Sequence, residues 1–193
     1  MKLRLARFFY RFTLWWSTAW SLIYRFFAQP KWKYRKVVLE SNHNPQSAWR
    51  RVKILEYRKD DWTTLRHAIN RPEHVQMSLN CKETFGMQPD GPMDCDDYAI
   101  WCVSVIEEKW QPYMLCVSWQ NSNGSFEGHA VCLIQNRQTG EYHHVGNWGL
   151  SYPYSSYKDL ISAIMGEDSK LVGWSIFSKN LRLIKWSTKM PCN

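Results

Sequence analysis

Three residues in this chain have the types and the order of a thiol triad: Cys95, then His129, then Asn147. Cys95 sits in Gly91-Pro92-Met93-Asp94-Cys95-Asp96-Asp97-Tyr98-Ala99, His129 in Gly128-His129-Ala130-Val131, and Asn147 in Gly146-Asn147-Trp148-Gly149. A thiol becomes a nucleophile when its pKa is lowered, and a helix N-terminus and an imidazolium are two groups that lower it. The chemistry expected is acyl transfer: sulfur attacks an amide carbonyl, the imidazolium protonates the departing amine, and the acyl group passes to water or to another amine. The Cys95 backbone N–H would be the first donor to the developing oxyanion, and Gln88, seven residues upstream, a second.

Each residue also has an ordinary reading. A cysteine on the apolar side of a helix is usually packing, and only the joint pattern with a histidine at a strand start favours catalysis. Asn147, between Gly146 and Trp148, also suits a turn. His143 and His144 read as strand residues, with His144 a fallback for orienting or binding. The acidic residues Asp94, Asp96 and Asp97 complement a helix dipole. They invite a calcium site, but no EF-hand-like loop is present, and His143 with His144 is the nearest approach to zinc-ligand spacing.

The elements that must position these groups follow from periodicity. Cys95, Tyr98, Ala99, Cys102, Val105 and Ile106 repeat at helical spacing, so Cys95 opens a buried stripe. Strands are expected at 113–119, 129–135 and 141–145, joined by Asn121-Ser122-Asn123-Gly124 and by 136–140. A helix at 157–165 and strands at 172–177 and 181–185 complete an α+β domain. Upstream, Ser41 to Pro45 reads as a turn and cap for a helix over 46–58, and Asp60 and Asp61 cap a second helix to Ile69. Arg71-Pro72 is expected to stop that helix, and 79–93 to form a loop delivering Cys95.

The 193 residues suit one domain plus a tail, with a core fed by 12 Trp, 10 Tyr and 8 Phe. We expect a basic aromatic helix and linker over 1–36 and the enzyme-like domain over 37–193. The net charge of +8 is concentrated in 1–36, where Lys and Arg meet no acidic residue. Only thirteen residues separate Arg11 from Arg25, short of the ~20 that a bilayer needs. On a helical wheel Arg4, Arg7, Arg11, Thr18 and Arg25 share a wedge, and Phe and Trp cover most of the rest. That amphipathic helix would lie on a membrane surface, dock on the domain or a partner protein, or act as an uncleaved anchor. From Lys31 to Leu39 the chain is expected to be extended. The six cysteines lack CxxC spacing. Cys102, Cys116 and Cys132 fall among apolar residues as core, and a reducing, cytoplasmic setting with membrane association through the helix is expected.

Asp94-Cys95-Asp96-Asp97-Tyr98-Ala99, with Gly128-His129-Ala130-Val131 downstream, resembles the bacterial and phage transglutaminase-like cysteine peptidases, a branch of the papain-like cysteine enzymes. The resemblance covers about 86–149. It implies a nucleophile helix packed on an antiparallel sheet, with Cys95 as nucleophile, His129 as base and acid, and Asn147 as the orienting residue where transglutaminase-like members usually have Asp. It implies a protein or peptide substrate and no cofactor; calcium near Asp94, Asp96 and Asp97 is an alternative that some members suggest. Two other classes stay open. One is a catalytically silent descendant used in assembly or host-directed binding, and the other a nucleic-acid binder, for which charge and Trp content speak but no signature does.

Overall fold

The computed structural model describes residues 2–57, 69–88 and 93–191. Six antiparallel strands form one sheet: β1 (Tyr113–Gln120), β2 (Phe126–Gln135), β3 (Tyr142–Gly146), β4 (Gly149–Leu150), β5 (Lys170–Phe177) and β6 (Leu183–Ser187), in the order β4-β3-β2-β1-β5-β6. The expected meander is its first part, and the last two strands add to the free edge of β1. With the helices described next, this is an α+β protein.

Strand alternation splits the core into two layers. Ala130, Cys132 and Ile134 pack with helix α4 (Cys95–Val105) and with α2 (Pro45–Val52) and α3 (Pro72–Phe85), whereas Val131 and Leu133 pack with α5 (Tyr157–Met165) on the opposite face. The α5 boundaries are those the sequence predicts. Helix α4 is buried along its length except at Ser104, as a continuous apolar segment between a sheet and two helices must be.

Helix α1 (Lys2–Phe27) lies over β5 on the α4 side of the sheet. Tyr10 is buried there, with its hydroxyl 3.5 Å from Ser175 Oγ and its ring against Gly173. A Cβ on Gly173 would come within 2.5 Å of that ring, so only glycine admits Tyr10. Arg7 donates to the Leu171 carbonyl at 2.7 and 2.9 Å, and Ser21 Oγ accepts from the Ile69 amide at 3.1 Å.

Three expectations need correction. Pro72, expected as a stop, is at the first turn of α3, where its missing N–H costs nothing, and Gly86 closes α3 at φ 68°. Residues 79–85 are therefore helical and bury Leu79, not a loop. The helix expected over 46–58 ends at Val52, although Asn44 caps it as expected, accepting from Ser47 N at 2.9 Å. Residues 31–34 form a 3-10 turn instead of extended chain, because Tyr34 is drawn in to hydrogen-bond His74 Nδ1 at 3.0 Å. The helix expected over 60–69 falls almost wholly outside the described residues.

Candidate active site

Cys95 is the first residue of α4, and the three acidic residues around it build that helix start. Asp94 is the N-cap: its side chain accepts from the Asp97 amide at 3.2 Å, and the Asp97 carboxylate accepts in return from the Asp94 amide at 3.5 Å. This capping box satisfies two amides that a helix leaves unpaired. Asp97 also accepts from Asn70, from its amide at 3.2 Å and its side-chain nitrogen at 2.9 Å. Asn70 is held in turn by Gln29 and by Arg25, whose guanidinium donates to the Asn70 and Ile69 carbonyls. The start of α4 is thus tied to the end of α1 through one asparagine. No local pattern marks Asn70, since its partners lie 27 and more residues away.

The Cys95 sulfur, on a residue 6 % exposed, is within hydrogen-bonding reach of two backbone N–H groups, its own and that of Ala130. Ala130 follows His129 on β2. The expected lowering of the Cys95 pKa does not occur: burial, then the charges of Asp96 and Asp97, push the thiol up to about 12 against these two donors. The same forces act on the carboxyls. Burial and the neighbouring carboxylates raise Asp94 far above the usual range, and burial and Asp96 raise Asp97 to about 7. The helix dipole is outweighed because the site is dry and already carries negative charge.

His129 is 4 % exposed and lies within the stretch of β2 that β3 does not pair, since β2–β3 pairing spans only Cys132 to Gln135 on β2. Its ring is received by the β3–β4 turn. Trp148 stacks on it with centroids 3.9 Å apart and planes 18° from parallel, and Nε2 lies 3.7 Å from where a Cβ on Gly146 would stand. Asn147 lies between those two contacts, with a buried Oδ1 that makes no hydrogen bond within the protein. The sequence places Asn147 in a turn or in a triad, and it occupies a two-residue turn between the paired Gly146 and Gly149.

A Cβ on Gly146 would also stand 3.2 Å from Val131 Cγ1. Gly146→Ala is therefore expected to crowd the His129 pocket and cost about 1–3 kcal/mol, read as a lower Tm by calorimetry. An unchanged Tm would show that the pocket is looser than this geometry.

The remaining candidates sit elsewhere in the site or outside it. The side-chain oxygen of Gln88 accepts from the Glu56 amide at 2.8 Å. His144 stacks on Tyr154, and burial with the neighbouring His143 depresses its pKa to about 4, so it is a neutral structural ring. Cys102 and Cys132 are fully buried and Cys116 half-buried, as core thiols. Asp94, Asp96 and Asp97 bring oxygens within 4.8 Å of one another. A calcium ion takes about six to eight oxygens, and both Asp97 oxygens already accept protein N–H groups, so the cluster fits that ion poorly. Compared with protein-family models, with curated proteins and with solved structures, the chain matches none.

Proposed function

We propose that this protein is a thiol-dependent acyl-transfer enzyme acting on amide bonds, of the transglutaminase-like kind, with Cys95 as nucleophile, His129 as base and acid, and Asn147 orienting the imidazole. One observation carries the reading: the Cys95 sulfur meets the N–H of Ala130, the residue after His129, while the His129 ring is clasped by the two residues that flank Asn147. The three motifs gather around one end of β2, with Cys95 on the Ala130 face of the sheet and the His129 ring beside Val131 on the other, so the reaction requires the imidazole to swing past the strand end to reach the sulfur.

The elevated thiol pKa selects a form of the mechanism. A sulfur held protonated cannot start as a thiolate, so His129 takes the proton as sulfur attacks the carbonyl carbon. The C=O π electrons move to oxygen, which the helix-start N–H of Cys95 faces. Collapse breaks the C–N bond, and the imidazolium gives its proton to the departing amine. A thioester on Cys95 remains, and water or a second amine, deprotonated by His129, releases the acyl group and restores the thiol. Asn147 Oδ1 would accept from the imidazole N–H that faces away from sulfur, holding one tautomer throughout.

The second reading is a silent member of the same fold, and a specific observation favours it: a thiol near 12 is less reactive than a free cysteine. The two are separated by treating the protein with p-nitrophenyl acetate and mapping acetyl adducts by mass spectrometry. Acylation of Cys95 ahead of the other five cysteines is expected, with His129→Ala slowing it at least about 100-fold. A folded protein whose Cys95 stays unacylated would overturn the enzyme reading in favour of the silent one.

A further inference from the structure

Helix α1 is docked inside out. A helix on a soluble domain buries its apolar stripe and shows its polar one, but α1 turns Arg7, Tyr10, Ser21 and Arg25 toward the domain, where each makes a hydrogen bond. The opposite arc carries Phe8, Phe12, Trp15, Ile23 and Phe26 in solvent, between 49 and 77 % exposed. Docking therefore does not satisfy the apolar face; it presents it. Single exposed apolar residues are ordinary, but a continuous stripe along a helix of 26 residues marks a surface meant to be covered.

Charge decides what covers it. Arg4 and Arg11 are exposed on the flank of this stripe, and Lys31, Lys33, Arg35 and Lys36 are exposed just past its end, while residues 1–36 contain no acidic side chain. A second copy of the chain would set these cations against one another with no acid in either segment to pair them. An anionic phospholipid surface pairs them all and accepts the rings at the depth of the headgroups, where Trp15, Trp16 and Trp32 are at home. Among the described residues no helix is long and apolar enough to cross a membrane, which leaves the helix lying in the interface.

We infer that the outward face of α1 binds the protein to an anionic lipid surface, with the sheet domain carried on its polar side. The binding is separate from the thiol chemistry, because no outward residue belongs to the Cys95 site.

The full-length protein would be floated with vesicles of phosphatidylcholine alone and of phosphatidylcholine mixed with phosphatidylglycerol. Co-flotation with the mixed vesicles is expected, reduced at least about tenfold on neutral vesicles, in high salt, or by the triple variant Phe8→Ser, Phe12→Ser, Trp15→Ser. Cys95→Ala should float as the parent does. Failure to float on mixed vesicles overturns the inference, and so does equal flotation on both compositions. A dimer in light scattering that the triple variant dissolves, with no flotation, would assign the face to a second copy instead. Circular dichroism of the triple variant guards against misfolding, and a blue shift of tryptophan emission in the parent on adding mixed vesicles tests the same contact without substitution.

Discussion

Asp97→Asn is expected to change how stability depends on pH by about 4 kcal/mol across the range from about pH 4 to pH 7. The carboxyl of Asp97 is raised to about 7 by burial and by Asp96, against ~3.9 in an unfolded chain. Between those values the native protein holds a proton that the unfolded chain has released, so stability falls as pH rises. The penalty is absent below ~4 and complete above ~7, growing by about 1.4 kcal/mol for each pH step of one between them. Asparagine has no such titration and keeps one oxygen to accept from Asn70. His144, depressed to about 4 by burial, titrates in the opposite sense, losing stability as pH falls through its unfolded value near ~6.5. It is present in both proteins, so the quantity to measure is the difference between them. Urea denaturation of parent and variant at about pH 4.5 and pH 8 should show the parent favoured at the lower pH and the variant gaining on it at the higher. Parallel changes at the two pH values would mean that Asp97 carries no raised pKa.

Arg25→Met is expected to lower stability by about 3 kcal/mol, which for a chain of this size is roughly 6–12 °C in Tm. Arg25 is 6 % exposed and donates to the Ile69 carbonyl at 3.0 Å and to the Asn70 carbonyl. Burial and the charge of Arg71 bring its pKa down to about 10, while Asp96, Glu73 and Asp97 hold it up, so it stays charged near neutrality. Methionine would fill the space but leave two half-buried carbonyls without their donor. It would also remove a positive charge that interacts with Asp96 and Asp97. Calorimetry reads the first effect, and faster trypsin cleavage between α1 and α2 reads the release of the helix. A Tm within ~2 °C of the parent would show that Arg25 is not the clamp.

Elements with a strong local signal were legible from the sequence. The spacing from Cys95 to Ile106 defines α4, Ser156 and Gly166 bracket α5, and alternation with the turns at 121–124 and 136–140, each ending in Gly, marks β1 to β3. Helix α3 was not, because Pro72 works equally as a stop and as a first-turn residue, and only the partners of Val75 and Leu79 decide between them. The candidate site divides in the same way. Cys95 and His129 stand out by type and position, whereas the state of the thiol depends on how dry the site is and on Asp96, a charge whose effect reverses once water is removed. Asn70 and Arg25 contribute through contacts distant in sequence, which periodicity does not encode.

The fit of Tyr10 over Gly173 sets the rotational phase of α1. Successive residues turn by about 100° around a helix axis, so a slip of one residue would carry the aromatic stripe a quarter-turn round toward the sheet. One ring seated where a side chain is missing prevents that slip, in the way a key fixes a shaft to its wheel. Gly173 thus determines, from the strand next to the sheet's edge, which way the opposite side of a helix faces.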